Sequence, residues 1–241
     1  MIDPRISIID ERLRRVSRIL AISSGKGGVG KSLLASTLSL ILVKKGYRVG
    51  LFDLDFTSPS THLILGVKGV QPTEDKGIVP PLVHGLKYMS IIYYSSEYAT
   101  PLRGVDFSNA FIELLSVTNW GELDFLILDM PPGIGDATLD LLRLIKNPRF
   151  LIVTTSSPLA FETVKKLIGM LRELDVPIVG VAENMRTGSS SIQQESRKLN
   201  VRFLGGISYD PKVEENLSNV DGLLKTVFAK EVEKLLKHIT E

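Results

Sequence analysis

Residues Gly25 to Ser32 read GKGGVGKS and match G-x-x-x-x-G-K-[ST], a spacing that suits a nucleotide triphosphate. Gly25, Gly27, Gly28 and Gly30 permit positive φ, so successive N–H groups can turn inward around an anion. Lys31 would contact the β- and γ-phosphates, and Ser32 would offer its hydroxyl to Mg²⁺. The stretch from Gly25 through Val29 to Leu33 is therefore the candidate phosphate cradle. It carries a second lysine, Lys26, for which holding a β/γ-phosphate pair gives no need.

Magnesium also calls for carboxylates. In parallel sheets, ligand sites lie at the C-terminal ends of strands. Asp53 and Asp55 fall where the apolar run RVGLFDLD finishes, and Asp129 falls near the end of DFLILDM. Asp129 would hold the metal directly or through water, with Asp53 acting on it from behind its waters.

These groups need a frame. Arg18–Ser23, Arg48–Asp55, Asp124–Met130, Arg149–Ser156, Pro177–Asn184 and Val201–Ile207 are short Val/Ile/Leu-rich runs, the pattern of strands buried on both faces. Helical patterns alternate with them, notably Lys31–Gly46, with its glycine at the stop, and Pro158–Leu174, with proline at the start. Such alternation predicts an α/β fold: a doubly wound, mostly parallel sheet flanked by helices. From about Gly66 to Gly104 the chain makes a Gly- and Pro-rich excursion, with Leu86–Ile92 a predicted strand inside it. Nothing splits the 241 residues, so one domain is expected.

With 44% hydrophobic and 23% charged residues the chain is ordinary globular material, and its net charge of +2 names no partner. It has no cysteine, which removes disulfides, thiolate metal ligands and a cysteine nucleophile together. No apolar run is long enough to cross a bilayer. The mixed-charge beginning MIDPRISIIDERLRRVSR does not read as a signal peptide, and a cytoplasmic location is expected.

The segment KGGVGKS resembles the deviant Walker A motif of the MinD/ParA/Mrp class of P-loop ATPases. That resemblance implies ATP or ADP with Mg²⁺ as ligands and an ATP-dependent homodimer. It also implies a role for Lys26, which would reach across the dimer to the phosphates of the other subunit. Within that class, DLDFTSPSTHLILG and WGELDFLILDMPPGIGD resemble the two switches of the Mrp branch, with Asp55 expected to orient the attacking water. HGLKYMSI and PLRG match parts of the excursion. VAENM places Asn184 where the family reads adenine, and FLGGISYDP, with Asp210 and Pro211, resembles the loop that closes over the base. Two departures stand out. The C-x-x-C of Mrp-type iron–sulfur carriers is replaced by RTGSSS, and the common threonine of the second switch is Ile134. A nearer resemblance is to archaeal Mrp-type ATPases of the HypB kind. It implies nickel insertion into [NiFe] hydrogenase with a small HypA-like metallochaperone as partner, an iron–sulfur or positioning role being the alternative.

The remaining features read as structural. His62, His84 and His238 have no metal-ligand spacing. The C-terminal run DGLLKTVFAKEVEKLLKHITE shows one apolar helical face suited to core docking, and no stable membrane or nucleic-acid binding is expected. Residues 1–17 form a candidate helix whose isoleucines, rimmed by arginine, could recruit a partner.

Overall fold

The computed structural model describes residues 3–94 and 105–240. Along the chain run α1 (Arg5–Leu13), β1 (Val16–Ser24), α2 (Lys31–Lys44), β2 (Val49–Asp53), α3 (Thr61–Leu65), β3 (Thr73–Glu74), β4 (Ile78–Val79), β5 (Leu82–Val83) and β6 (Leu86–Ser90). There follow α4 (Val105–Val117), β7 (Leu123–Asp129), α5 (Asp136–Leu144), β8 (Arg149–Thr155), α6 (Pro158–Glu173), β9 (Ile178–Arg186), α7 (Ile192–Lys198) and β10 (Phe203–Ser208). The chain finishes with α8 (Lys212–Glu215), α9 (Val220–Leu223) and α10 (Val227–Leu235).

Eight strands form one sheet in the order β10-β9-β8-β1-β7-β2-β6-β5. Every pairing in it is parallel except β5 with β6. Strand β1 lies in the middle, so the loop that follows it emerges at the C-terminal edge between β7 and β8, where a doubly wound sheet binds ligands. Helices α2, α3 and α10 cover one face, joining Leu38, Ile64, Phe228 and Val232 to Ile22, Leu51 and Ile127. Helices α1, α4, α5 and α6 cover the other, joining Ile9, Phe111, Leu141 and Phe161 to Ala21, Phe52 and Leu128.

Local signals explain the two helices that flank the site. Helix α2 is apolar nearly all round because it lies between the sheet and α10, and Leu34, Ala35, Leu38 and Leu42 are fully buried. It stops where Gly46 takes a φ of 88°. There Gly46 N–H donates to the Val43 carbonyl and Tyr47 N–H to that of Leu42, the paired bonds of a Schellman cap. Helix α6 starts with Ser157, whose hydroxyl accepts from Ala160 N–H, followed by Pro158.

The expected α/β frame is present, with displaced boundaries. Strand β1 begins at Val16, two residues earlier than the pattern predicts, and β2 ends at Asp53 rather than Asp55. The C-terminal run is not one helix. Thr226 leaves helical geometry at ψ 161° and caps a new helix by accepting from Ala229 N–H, so α9 and α10 are separate. The apolar face still docks, with Leu223, Phe228, Val232 and Leu235 buried. PLRG, residues 101–104, lies outside the described residues.

The N-terminal helix spends its apolar face internally. Ile9 and Leu13 are buried against the core, Arg12 donates to the carbonyls of Ser116 and Lys76, and Asp10 pairs with Lys146. Ile9 and Leu13 of the stripe therefore anchor α1 to the rest of the fold, while Ile8 stays exposed. Ile9→Ala is expected to destabilise the protein by about 2–5 kcal/mol, and Ile8→Ala by less than about 0.5 kcal/mol. Urea titrations of the two variants check this; equal effects would show that α1 is not docked.

Candidate functional site

The loop between β1 and α2 is a tight backbone cradle. Gly28 and Gly30 have φ of 75° and 84°, values that L side chains resist. Space matters as well. A Cβ on Gly25 would stand 2.7 Å from the Thr163 carbonyl carbon of α6, and one on Gly30 would collide with the Asn184 amide. Three bonds from neighbouring strands and loops brace the cradle. The Asn184 amide donates to the Val29 carbonyl (2.9 Å), the Ser24 hydroxyl to the Lys26 carbonyl (2.8 Å), and Gly133 N–H to the Ser24 carbonyl (3.0 Å).

The two lysines of the loop have opposite surroundings. Lys31, at the start of α2, is buried with 6% of its surface exposed. Lys26 is exposed and its ammonium meets no acceptor or carboxylate among the described residues. Ser32 and Leu33 are half-buried, Val29 is buried, and Gly27 is exposed.

Two of the three aspartates lie deep. Asp53 and Asp129 are in register on the adjacent strands β2 and β7, and both are fully buried. Their carboxylates differ in what holds them. Asp53 accepts from Asp55 N–H (3.1 Å), Thr61 N–H (3.2 Å) and the Thr61 hydroxyl (2.6 Å). Asp129 is left nearly bare: both oxygens are buried with no hydrogen bond of normal geometry among the described residues, the Ser32 hydroxyl being the nearby group that favours its charged form. Burial pushes the Asp129 carboxyl up to about 8, helped by the charge of Asp53, while Lys31 and Ser32 pull the other way. Burial likewise raises Asp53, to about 6, against its three donors. A buried carboxylate with two bare oxygens, beside a phosphate cradle and the Ser32 hydroxyl, fits a hard divalent cation that takes oxygen ligands.

Asp55 stands just beyond β2, nearly buried, and its Oδ1 accepts the Thr57 hydroxyl (2.8 Å) and Ser58 N–H (3.1 Å). Asn184 is buried and spends one amide proton on the P-loop. Asp210 shapes its own loop by accepting from Lys212, Val227 and Phe228 N–H groups, and Pro211 opens α8. An open cavity of about 660 Å³ lies beyond the ends of β9 and β10, lined by Arg186, Ser189, Ser190, Ser208 and Tyr209 among others. The pattern of the sequence missed Thr61, Tyr88 and Thr163. Each acts on the site through a fold contact that no local motif encodes.

The family model for ParA, described as the NUBPL iron-transfer P-loop NTPases, matches residues 15–241. The chain belongs to this family. One relative is an iron–sulfur cluster carrier protein from Aquifex aeolicus, 37% identical over 217 residues, a match covering 83% of this chain and 60% of the carrier. The chain thus spans about three-fifths of the length of that relative. A nucleotide-binding protein from Archaeoglobus fulgidus, solved with ADP, superposes with a TM-score of 0.77 at 31% identity, covering 91% of this chain and 93% of that one. MinD from Pyrococcus horikoshii with Mg-ADP shares the fold, with a TM-score of 0.71 at 20% identity over 93% of this chain and 96% of that one. The names carried by the family and its relatives concern iron and iron–sulfur clusters. They give no support to nickel insertion or to a HypA-like partner, and favour the iron–sulfur alternative instead.

Both raised carboxyls bind their protons more tightly in the folded protein than in the unfolded chain. Unfolded carboxyls ionise near 3.8, while Asp53 and Asp129 hold protons to about 6 and about 8. Their contribution therefore makes the metal-free protein lose stability as the pH rises from about 4 to about 8. Thermal melts in EDTA across that range, repeated with Mg-ADP, check it; the loss should shrink when the cation is supplied.

Proposed function

We propose that this chain is a Mg-ATP-dependent ATPase that works as an ATP-bound homodimer and serves iron–sulfur cluster handling. The reading rests on the deviant P-loop, on the bare Asp129 carboxylate, and on the family's iron-transfer character. The loop N–H groups and Lys31 would hold the β- and γ-phosphates, with Ser32 and Asp129 directed at the cation. Bound Mg²⁺ supplies charge neutralisation to the transferring phosphoryl group. Asp55 would orient a water whose oxygen attacks the γ-phosphorus as the bond to the β-phosphate oxygen breaks, releasing ADP and phosphate. Lys26, exposed and unpaired among the described residues, has the freedom to serve a nucleotide held by a second copy. Turnover that waits for a partner subunit is a switch, not a steady hydrolase.

The absence of cysteine from all 241 residues shapes the cluster side of the proposal. The chain offers no thiolate to iron, so a cluster would stay on a protein it binds. Its ATP cycle would then govern the association and release of that protein.

Lys26→Ala is expected to bind ATP with little change while turnover falls by about 10²–10³-fold, the scale of one charge-stabilising donor. Turnover retained at the level of the unsubstituted protein by a monomer would remove Lys26 from the cross-subunit role. Asp55→Ala should accumulate as the ATP-bound dimer, seen by light scattering. For the pathway, the protein serves as bait in lysate under anaerobic conditions with ATP and with ADP, and captured material is assayed for iron, acid-labile sulfide and nickel. Nucleotide-dependent recovery of a cluster-bearing protein supports the proposal. Recovery of a nickel-binding metallochaperone would return the pathway to nickel.

A further inference from the structure

A chain of buried hydroxyls leads from the Asp53 carboxylate across to the neighbouring strand β6, on the face of the sheet that α2 and α3 cover. The Thr61 hydroxyl lies 2.6 Å from Asp53 Oδ2 and 2.9 Å from the phenolic oxygen of Tyr88. Asp53, Thr61 and Tyr88 are all fully buried, so water does not compete for these bonds. The direction of the chain follows from proton counting. An ionised carboxylate only accepts, and a threonine hydroxyl has one proton to give. Thr61 therefore donates to Asp53, and Tyr88 must donate to Thr61.

The geometry around that chain suggests what it is for. Asp53 and Thr61 bound the loop that carries Asp55, and the same carboxylate grips both parts of it. Oδ1 accepts from Asp55 N–H, while Oδ2 accepts from the Thr61 backbone and side chain. Tyr88 sits on β6, the strand paired to β2 on the side away from Asp129. Its hydroxyl pins Thr61 from a rigid element, and hydroxyls that donate in a buried chain strengthen one another. Asp53 is thus held in place beside Asp129, its neighbour in register on β7.

We propose that Thr61 and Tyr88 are positioning residues for the magnesium site, fixing Asp53 and the loop that carries Asp55 through the Tyr88–Thr61–Asp53 chain. The proposal rests on the Mg-nucleotide reading of the site. It adds that residues touching neither metal nor nucleotide set how much magnesium the site needs.

The test uses a fluorescent ADP analogue titrated against the unsubstituted protein and against Thr61→Val, Thr61→Ser and Tyr88→Phe, in EDTA and over a series of Mg²⁺ concentrations. Thr61→Val should raise the Mg²⁺ concentration for half-maximal tight binding by about tenfold or more, the scale of lost support behind a metal ligand. Tyr88→Phe removes one oxygen without changing shape and should raise it by a smaller factor in the same direction. Thr61→Ser restores the hydroxyl and should restore the magnesium response, and affinity in EDTA should be unchanged throughout. Thermal melts of each variant accompany the titrations. If Thr61→Val does not fold, Tyr88→Phe and Thr61→Ser carry the comparison. Unaltered magnesium dependence in folded Tyr88→Phe and Thr61→Val, or a fall in EDTA affinity equal to the fall with magnesium, would overturn the positioning role. Nucleotide binding by the unsubstituted protein that ignores magnesium altogether would instead overturn the site reading, and the positioning role with it.

Discussion

Two aspartates in register on adjacent central strands, both shut away from water, are the constraint around which the site is organised. Burying one carboxylate is unfavourable, and burying two side by side adds repulsion to lost hydration. The fold treats the pair unequally. Asp53 receives three donors, all from the chain that immediately follows it, whereas Asp129 receives none of normal geometry among the described residues. A site meant only for stability would satisfy both or replace them with apolar side chains. Leaving Asp129 bare beside Lys31 and Ser32 makes sense where a cation completes the set.

The same asymmetry explains why the cradle is braced from so many directions. A phosphate loop aims its N–H groups by backbone conformation, so its accuracy depends on whatever holds the backbone. Here β9 holds Val29 through Asn184, the loop after β7 holds Ser24 through Gly133, and α6 leaves no room for a side chain at Gly25. The segment after β7 carries the exposed Ile134, and α6 starts with the exposed Leu159. Elements that touch the cradle from behind therefore also reach the surface beside it.

How much of this was legible beforehand depended on whether the information was local. The P-loop was readable because its glycines, lysine and serine occupy fixed offsets between a strand and a helix. Asp53 and Asp129 were readable because an apolar run that stops at an acid marks a strand end. Thr61 and Tyr88 are 27 residues apart and meet only because β6 pairs with β2 across the excursion, so no spacing rule could join them. The C-terminal run shows its docking face in the sequence but not its break. Its apolar positions fit one continuous helix, yet Thr226 offers a cap that breaks it without moving the apolar face off the core. The arginine-rimmed N-terminal stripe was likewise visible, but its destination on α4 and α5 was not.

The lack of cysteine decides how an iron-transfer family member of this kind could divide its labour. Iron–sulfur clusters are held chiefly by thiolates, and none exists in this chain. Where Mrp-type carriers are expected to have C-x-x-C, this chain has the run from Arg186 to Ser191, and that run borders an open cavity lined by hydroxyls and a guanidinium. Those groups hydrogen-bond to oxygen-rich partners and do not bind soft iron–sulfur clusters. The glycine-rich loop, Lys31, Ser32 and the two buried aspartates nevertheless lie together at the C-terminal end of the central strands. A phosphate cradle without a thiolate fits the proposed reading, in which the ATP cycle times events on a cluster that another protein holds.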